Sequence, residues 1–145
     1  MPSASFHHRV RLPVPPATVW RALQEPTTWE HVGPVERVWD PEFDGDVLVA
    51  YRWSTTVGGK VFDGRARTIE HREPDRFVVD LDGGEMGGVV TVDLTGDGAE
   101  TTIDVGLEVR AQGLVSTLAF PAIRGAIASG FPDQVEELAE RIAGG

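Results

Sequence analysis

Four histidines, His7, His8, His31 and His71, have the widest chemical reach in this 145-residue chain. An imidazole can move protons near neutral pH or hold a metal ion. A zinc site needs two of them four apart on a helix, or close together in a loop with further ligands near. No pair has that spacing, so neither a metal site nor a metal cofactor is expected. His7-His8 reads as a solvated pair at a frayed N-terminus. His71 stands beside Glu70 and Glu73, which favour its protonated form, and a surface turn accounts for that pattern equally well.

Carboxylate pairs offer acid–base chemistry next. Asp80/Asp82 and Asp40/Glu42 each share one face of an extended segment, but it is the face opposite the apolar one, so they read as solvated sheet surface. No serine or threonine sits in a strand–turn–helix setting of the kind that exposes a nucleophile. Gly83-Gly84-Glu85-Met86-Gly87-Gly88 has no helix after it, which makes it a hairpin or bulge and not a phosphate cradle. No catalytic constellation and no cofactor site follow from these residues.

The remaining chemistry is apolar. If Ile103, Val105, Leu107 and Val109 face inward, then Val47, Val49, Tyr51 and Trp53 are expected to do so as well. Phe62, Gly64, Ala66 and Thr68 share that face across the next turn. Gly64 and Ala66 are small where a core wants bulk, and so are Gly125 and Ala126 later in the chain. Small residues on both walls suggest a cavity for a hydrophobic small molecule, the alternative being that Trp53 and Tyr51 fold inward and fill the space. The candidate ligand-contacting set is Tyr51, Trp53, Phe62, Gly64, Ala66, Leu107, Phe120, Ile123 and Ile127. On this view Gly64→Leu fills empty space, so it should block the ligand without loss of stability.

Those walls need elements to place them. The last stretch, Leu114 to Ala143, repeats apolar residues at helical steps: Leu114, Leu118, Ile123, Ile127, Phe131, Val135, Leu138 and Ile142. Charge covers its other side from Asp133 onward. Pro121 and Pro132 each remove an amide donor, so a kink or restart is expected near each. At the other end, Arg9–Leu12 continues an alternating strand. A short helix follows over Pro16 to Gln24, and one more helical turn over Thr27–His31 contains Trp29.

From Val35 to Arg110 the period is two. Gly58-Gly59, Pro74-Asp75, Gly83-Gly84 and Gly96-Asp97-Gly98 mark turns between strands, which gives an antiparallel meander. The meander has one apolar face, and the C-terminal helix carries the matching stripe. The expected fold is therefore α+β: a curved antiparallel sheet of about seven strands wrapped around a long C-terminal helix, with two short helices after the first strand. Residues 1–145 suit one such helix-grip domain.

Composition narrows the partners. The formal net charge is −10, with Lys60 as the single lysine among thirteen cations. Nucleic acid and anionic membranes both call for clustered positive charge, so neither is expected as a partner. There are no cysteines, hence no disulfides, thiolate metal sites or cysteine nucleophile. Met1–Phe6 is polar and short, unlike a signal peptide, and a cytoplasmic location is expected.

The stretch Val14 to Leu23, Val-Pro-Pro-Ala-Thr-Val-Trp-Arg-Ala-Leu, with Pro26 and Trp29 after it, resembles the strand-to-helix entry of the START-like superfamily of polyketide cyclases, dehydrases and lipid-transport proteins (SRPBCC). Val57-Gly58-Gly59-Lys60-Val61-Phe62-Asp63-Gly64, Ile69-Glu70 with Pro74, and Gly113-Leu114 before the long helix resemble its CoxG branch, the one associated with carbon monoxide dehydrogenase. The resemblance spans nearly the whole chain and implies the helix-grip fold. Three functions follow from it as expectations: a carrier of a lipid, isoprenoid or polyketide-like molecule; a cyclase/aromatase-type enzyme; or an accessory protein for maturation or localisation of a molybdenum hydroxylase-type oxidoreductase. Stable membrane insertion is not expected, and pairing into a homodimer is left open.

Overall fold

The computed structural model describes residues 2–57 and 59–144. Strand β1 (Ser3–Leu12) leads into helix α1 (Pro16–Leu23) and a 3₁₀ turn (Pro26–Trp29). Strands β2 (Arg37–Asp44), β3 (Val47–Val57), β4 (Lys60–Arg72), β5 (Arg76–Asp82), β6 (Met86–Gly96) and β7 (Thr101–Ala111) follow, and helix α2 (Leu114–Gly144) ends the chain. All seven strands form one antiparallel sheet in the order β1-β7-β6-β5-β4-β3-β2. Consecutive hairpins build β2 to β7, and β1 joins the far edge beside β7. This is the helix-grip arrangement, with α2 lying along β1 and reaching β7 and β3.

Local chemistry explains the punctuation. Pro16 opens α1, where a missing amide donor costs nothing. The 3₁₀ turn holds because Trp29 donates its indole N–H to the carbonyl of Leu23 at 3.0 Å. Trp29 then stacks on Phe77 with centroids 5.6 Å apart, while Trp20 meets the same ring edge-on at 5.5 Å. Three aromatics thus fix the entry segment to the sheet, each contact favourable beyond its buried area.

Three details differ from the sequence reading. The N-terminus is paired, not frayed: β1 matches β7 from Ser3↔Arg110 to Leu12↔Thr101. His8 Nε2 lies 2.7 Å from Glu136 of α2, and His7 lies 3.2 Å from Asp104. The His7 contact, followed by Arg9, holds the Asp104 carboxyl below its ordinary value.

In β3, Leu48 is fully buried while Val47 and Val49 are half-buried, so alternation changes phase before Tyr51, Trp53 and Thr55 turn inward. Register shifts in the β2–β3 pairing around Glu42 and in the β4–β5 pairing after Thr68 lie on either side of this change, and a bulge moves side chains to the other face. The Leu48 amide donates to Gln24 and its carbonyl accepts from Thr68, which fixes that residue.

Helix α2 continues through both prolines without a restart. Its buried stripe begins at Ser116 and Phe120, and then takes Ile127, Phe131, Val135, Leu138 and Ile142. Leu114 and Leu118 are 76% and 77% exposed. The five-residue step from Leu118 to Ile123 is where the two sets separate, since a two-residue offset turns a side chain about 200° around the axis. Finally, the expected Gly58-Gly59 turn lies partly outside the described residues, because Gly58 is not among them; β3 and β4 pair on both sides of it up to Val57↔Lys60.

Candidate functional site

A pocket of about 270 Å³ opens between the middle of α2 and the end of β3. Ile123, Ala126, Ile127 and Gln134 form its helical wall. Thr55 and Thr56 come from β3, Met86 from the start of β6, and Gly33, Pro34 and Glu36 from the loop before β2. The amide oxygen of Gln134 accepts from the Gly33 backbone N–H at 3.0 Å, which ties that loop to the helix. Glu36 accepts from the Thr56 hydroxyl at 2.7 Å on the rim.

Of the nine residues expected from sequence, Ile123 and Ile127 line this pocket. Tyr51, Trp53, Ala66, Leu107 and Phe120 are buried in the core between sheet and helix. Phe62 is half-buried beneath the Lys60 ammonium, which stands 5.4 Å from the ring centroid. Gly64 corrects the expectation most directly. A Cβ there would meet Trp53 Cε2 at 2.6 Å, the Asp82 carbonyl oxygen at 2.7 Å and Gly83 Cα at 2.8 Å. The missing side chain at Gly64 makes room for the indole of Trp53, so it does not add to a ligand space.

Trp53 is therefore seated on the sheet, its ring also over Gly83, where a Cβ would meet Cη2 at 2.9 Å. Its Nε1–H is buried without a hydrogen-bond partner among the described residues. Thr55, two residues along the same face, is 5% exposed and reaches the pocket. Tyr51, two residues back, is 2% exposed, and burial pushes its phenol well above the ordinary tyrosine range. Tyr51, Trp53 and Thr55 thus follow one another along the inward face of β3, with Thr55 at the pocket. Sequence alternation groups these three, but Met86 and the Gly33–Glu36 loop carry no such signal, because they meet α2 only through the tertiary fold, and Gln134, on α2 itself, lies outside the helix's apolar stripe.

One clasp holds the helix at this end. The β5–β6 turn brings Glu85 to the start of α2, where its carboxylate accepts the Ser116 backbone N–H. The Ser116 hydroxyl donates back to the Glu85 carbonyl, and that same carbonyl accepts from Gln112 and Gly113. Ser116 is completely buried. One of the helix's orphan amides is thereby satisfied from a different element.

Other concavities suit an apolar guest less well. A groove of about 320 Å³ between α1 and the end of α2 presents Glu25, Glu30 and Arg141. Two shallow depressions on the outer sheet face involve His7, Arg9, Arg76, Asp93 and Asp104, which are engaged in ion pairs there. Arg76 is held protonated by Asp93 and then Glu70.

Residues 3–143 match the family described as polyketide cyclase / dehydrase and lipid transport. No curated protein matches the chain by sequence. Among solved structures, a START superfamily protein from Mycobacterium smegmatis is similar with a TM-score of 0.68 at 11% identity, over 95% of this chain and 98% of that one. The Zhui aromatase/cyclase from Streptomyces sp. R1128 is similar with a TM-score of 0.65 at 17% identity, over 96% and 94%. A protein from Thermus thermophilus gives 0.73 at 16% identity, over 96% and 97%. At such identities the likeness is one of fold.

Proposed function

The chain belongs to the polyketide cyclase/dehydrase and lipid-transport family, and from that premise we propose that it binds an apolar small molecule in the pocket between α2 and β3. The observation that carries this reading is the pocket's lining. Ile123, Ala126, Ile127 and Met86 supply apolar surface, while Thr55, Thr56 and Gln134 supply a few polar atoms at the edge. Small-molecule sites have that composition, because burial drives binding and sparse polar groups orient the guest. Met86 adds an unbranched, polarisable side chain that can adjust to guests of different shape.

Ala126 offers the test. It lines the pocket yet is exposed, so a larger side chain can plug the mouth without disturbing the core. A solvatochromic apolar dye such as Nile red should bind the parent with saturable fluorescence. Ala126→Phe should weaken that binding about tenfold, the worth of roughly 1.4 kcal/mol, with an unchanged melting temperature. A parent protein that gives no saturable signal defeats the reading.

A cyclase reading in the same pocket has one observation in its favour: the Glu36 carboxylate is on the lining and could exchange a proton with a bound guest. Glu36→Gln would abolish turnover of a poly-β-ketone substrate on that reading and leave dye binding intact. The narrower CoxG resemblance adds a partner oxidoreductase, which co-purification from the native host would reveal.

A further inference from the structure

We infer that the guest of this pocket carries a hydrogen-bond acceptor oxygen, a ketone, ester or phenol on an apolar frame, and that Trp53 Nε1–H donates to it. This rests on the ligand-binding reading above and specifies its chemistry.

The starting point is an unsatisfied donor. An indole N–H can only donate, so it needs an oxygen. Buried polar groups without a partner are costly, and folded proteins leave few of them. Trp53 Nε1 is the buried side-chain nitrogen or oxygen without a partner among the described residues. Trp29 shows what the same group does when structure alone is at stake: it donates to the Leu23 carbonyl.

Position supplies the second part. Trp53 lies on the inward face of β3, two residues before Thr55, which lines the pocket. The ring and the Met86 backbone both flank Gly83: the Met86 carbonyl oxygen and Trp53 Cη2 each stand 2.9 Å from the point where a Gly83 Cβ would lie. Met86 is itself part of the lining, and its thioether side chain is adjustable. On this proposal a guest enters between Ile127 and Thr55 and reaches the indole along the inward face of β3. The two glycines beneath the ring hold Trp53 against the backbone, so the donor keeps its place as the guest arrives.

An acceptor on the guest would remove the penalty of the buried N–H, whereas a pure hydrocarbon would leave it in place. The site should therefore discriminate between guests of one shape that differ by a single oxygen. Fluorenone and fluorene are such a pair, a ketone and the matching hydrocarbon. Calorimetric titration of the full chain should give about tenfold tighter binding of fluorenone, the worth of one net hydrogen bond. In indole-labelled protein, the Trp53 N–H resonance should move downfield with fluorenone and not with fluorene. Trp53→Phe should bring the two affinities together by weakening only the ketone.

Equal affinities in the parent, or an indole resonance that ignores fluorenone, overturn the inference while the pocket itself stands. If neither compound binds, the ligand-carrier reading falls and this inference falls with it. The resonance in the parent decides the matter even if the Trp53 variant does not fold.

Discussion

The indole of Trp53 fills the position that a side chain on Gly64 would need. The two residues are directly paired across β3 and β4, and a Cβ on Gly64 would stand 2.6 Å from Trp53 Cε2. A large ring on one strand is thus matched by a bare backbone on the next. Two of the three nearest atoms to that missing Cβ, the Asp82 carbonyl oxygen and Gly83 Cα, are backbone of β5 and its turn. They cannot rotate away as a side chain could.

Gly64→Ala should therefore destabilise the protein by about 1–3 kcal/mol, the usual cost of forcing extra volume into a packed core. Urea denaturation followed by circular dichroism measures it. Gly64→Leu should destabilise further, the opposite of what an empty cavity would give. A Gly64→Ala variant as stable as the parent would mean that Trp53 moves freely from its seat.

The clasp at the head of α2 predicts a graded series. Glu85 accepts the Ser116 amide from outside the helix and so acts as a cap supplied by another element. Loss of a capping acceptor typically costs about 0.5–2 kcal/mol. Glu85→Ala should fall within that range, and the Ser116 and Thr117 amides should exchange with solvent faster. Glu85→Gln keeps a carbonyl oxygen in the same place and should lose less than half as much. Equal stabilities for parent, Gln and Ala forms would show that the contact contributes nothing to holding the helix.

Much of this fold is legible in the chain, because period-two alternation and turn residues both act locally. Ile103, Val105, Leu107 and Val109 alternate inward, and all four are buried. The site is less legible for three physical reasons. A small residue carries two opposite meanings, space for a guest or space for a neighbour, and at Gly64 the neighbour is Trp53. A bulge reverses which residues face inward, which puts Leu48 in the core in place of Val47 and Val49. A helical stripe identifies spacing but not which turns have something to cover them. Leu114 and Leu118 keep the spacing and lie in the open, while the polar Ser116 is buried by its bonds to Glu85.

Tyr51 gives the last prediction, and the chain makes it easy to read, since this is its single tyrosine. The side chain lies in the core, and burial alone raises its phenol pKa by disfavouring the phenolate. In the unfolded chain the same group titrates at about pH 10. The folded form thus keeps its proton at a pH where the unfolded form sheds it. The stabilisation is fully present below about pH 10 and is lost as pH rises above it, at about 1.4 kcal/mol per pH unit. Near-ultraviolet phenolate absorbance should stay absent from the folded protein at about pH 11 and appear together with loss of the sheet's circular dichroism. In urea the same signal should develop at about pH 10. Tyr51→Phe should remove this share of the alkaline decline, read as a shallower slope of unfolding free energy against pH. A phenolate that forms near pH 10 while the sheet signal is intact would place the Tyr51 hydroxyl in water.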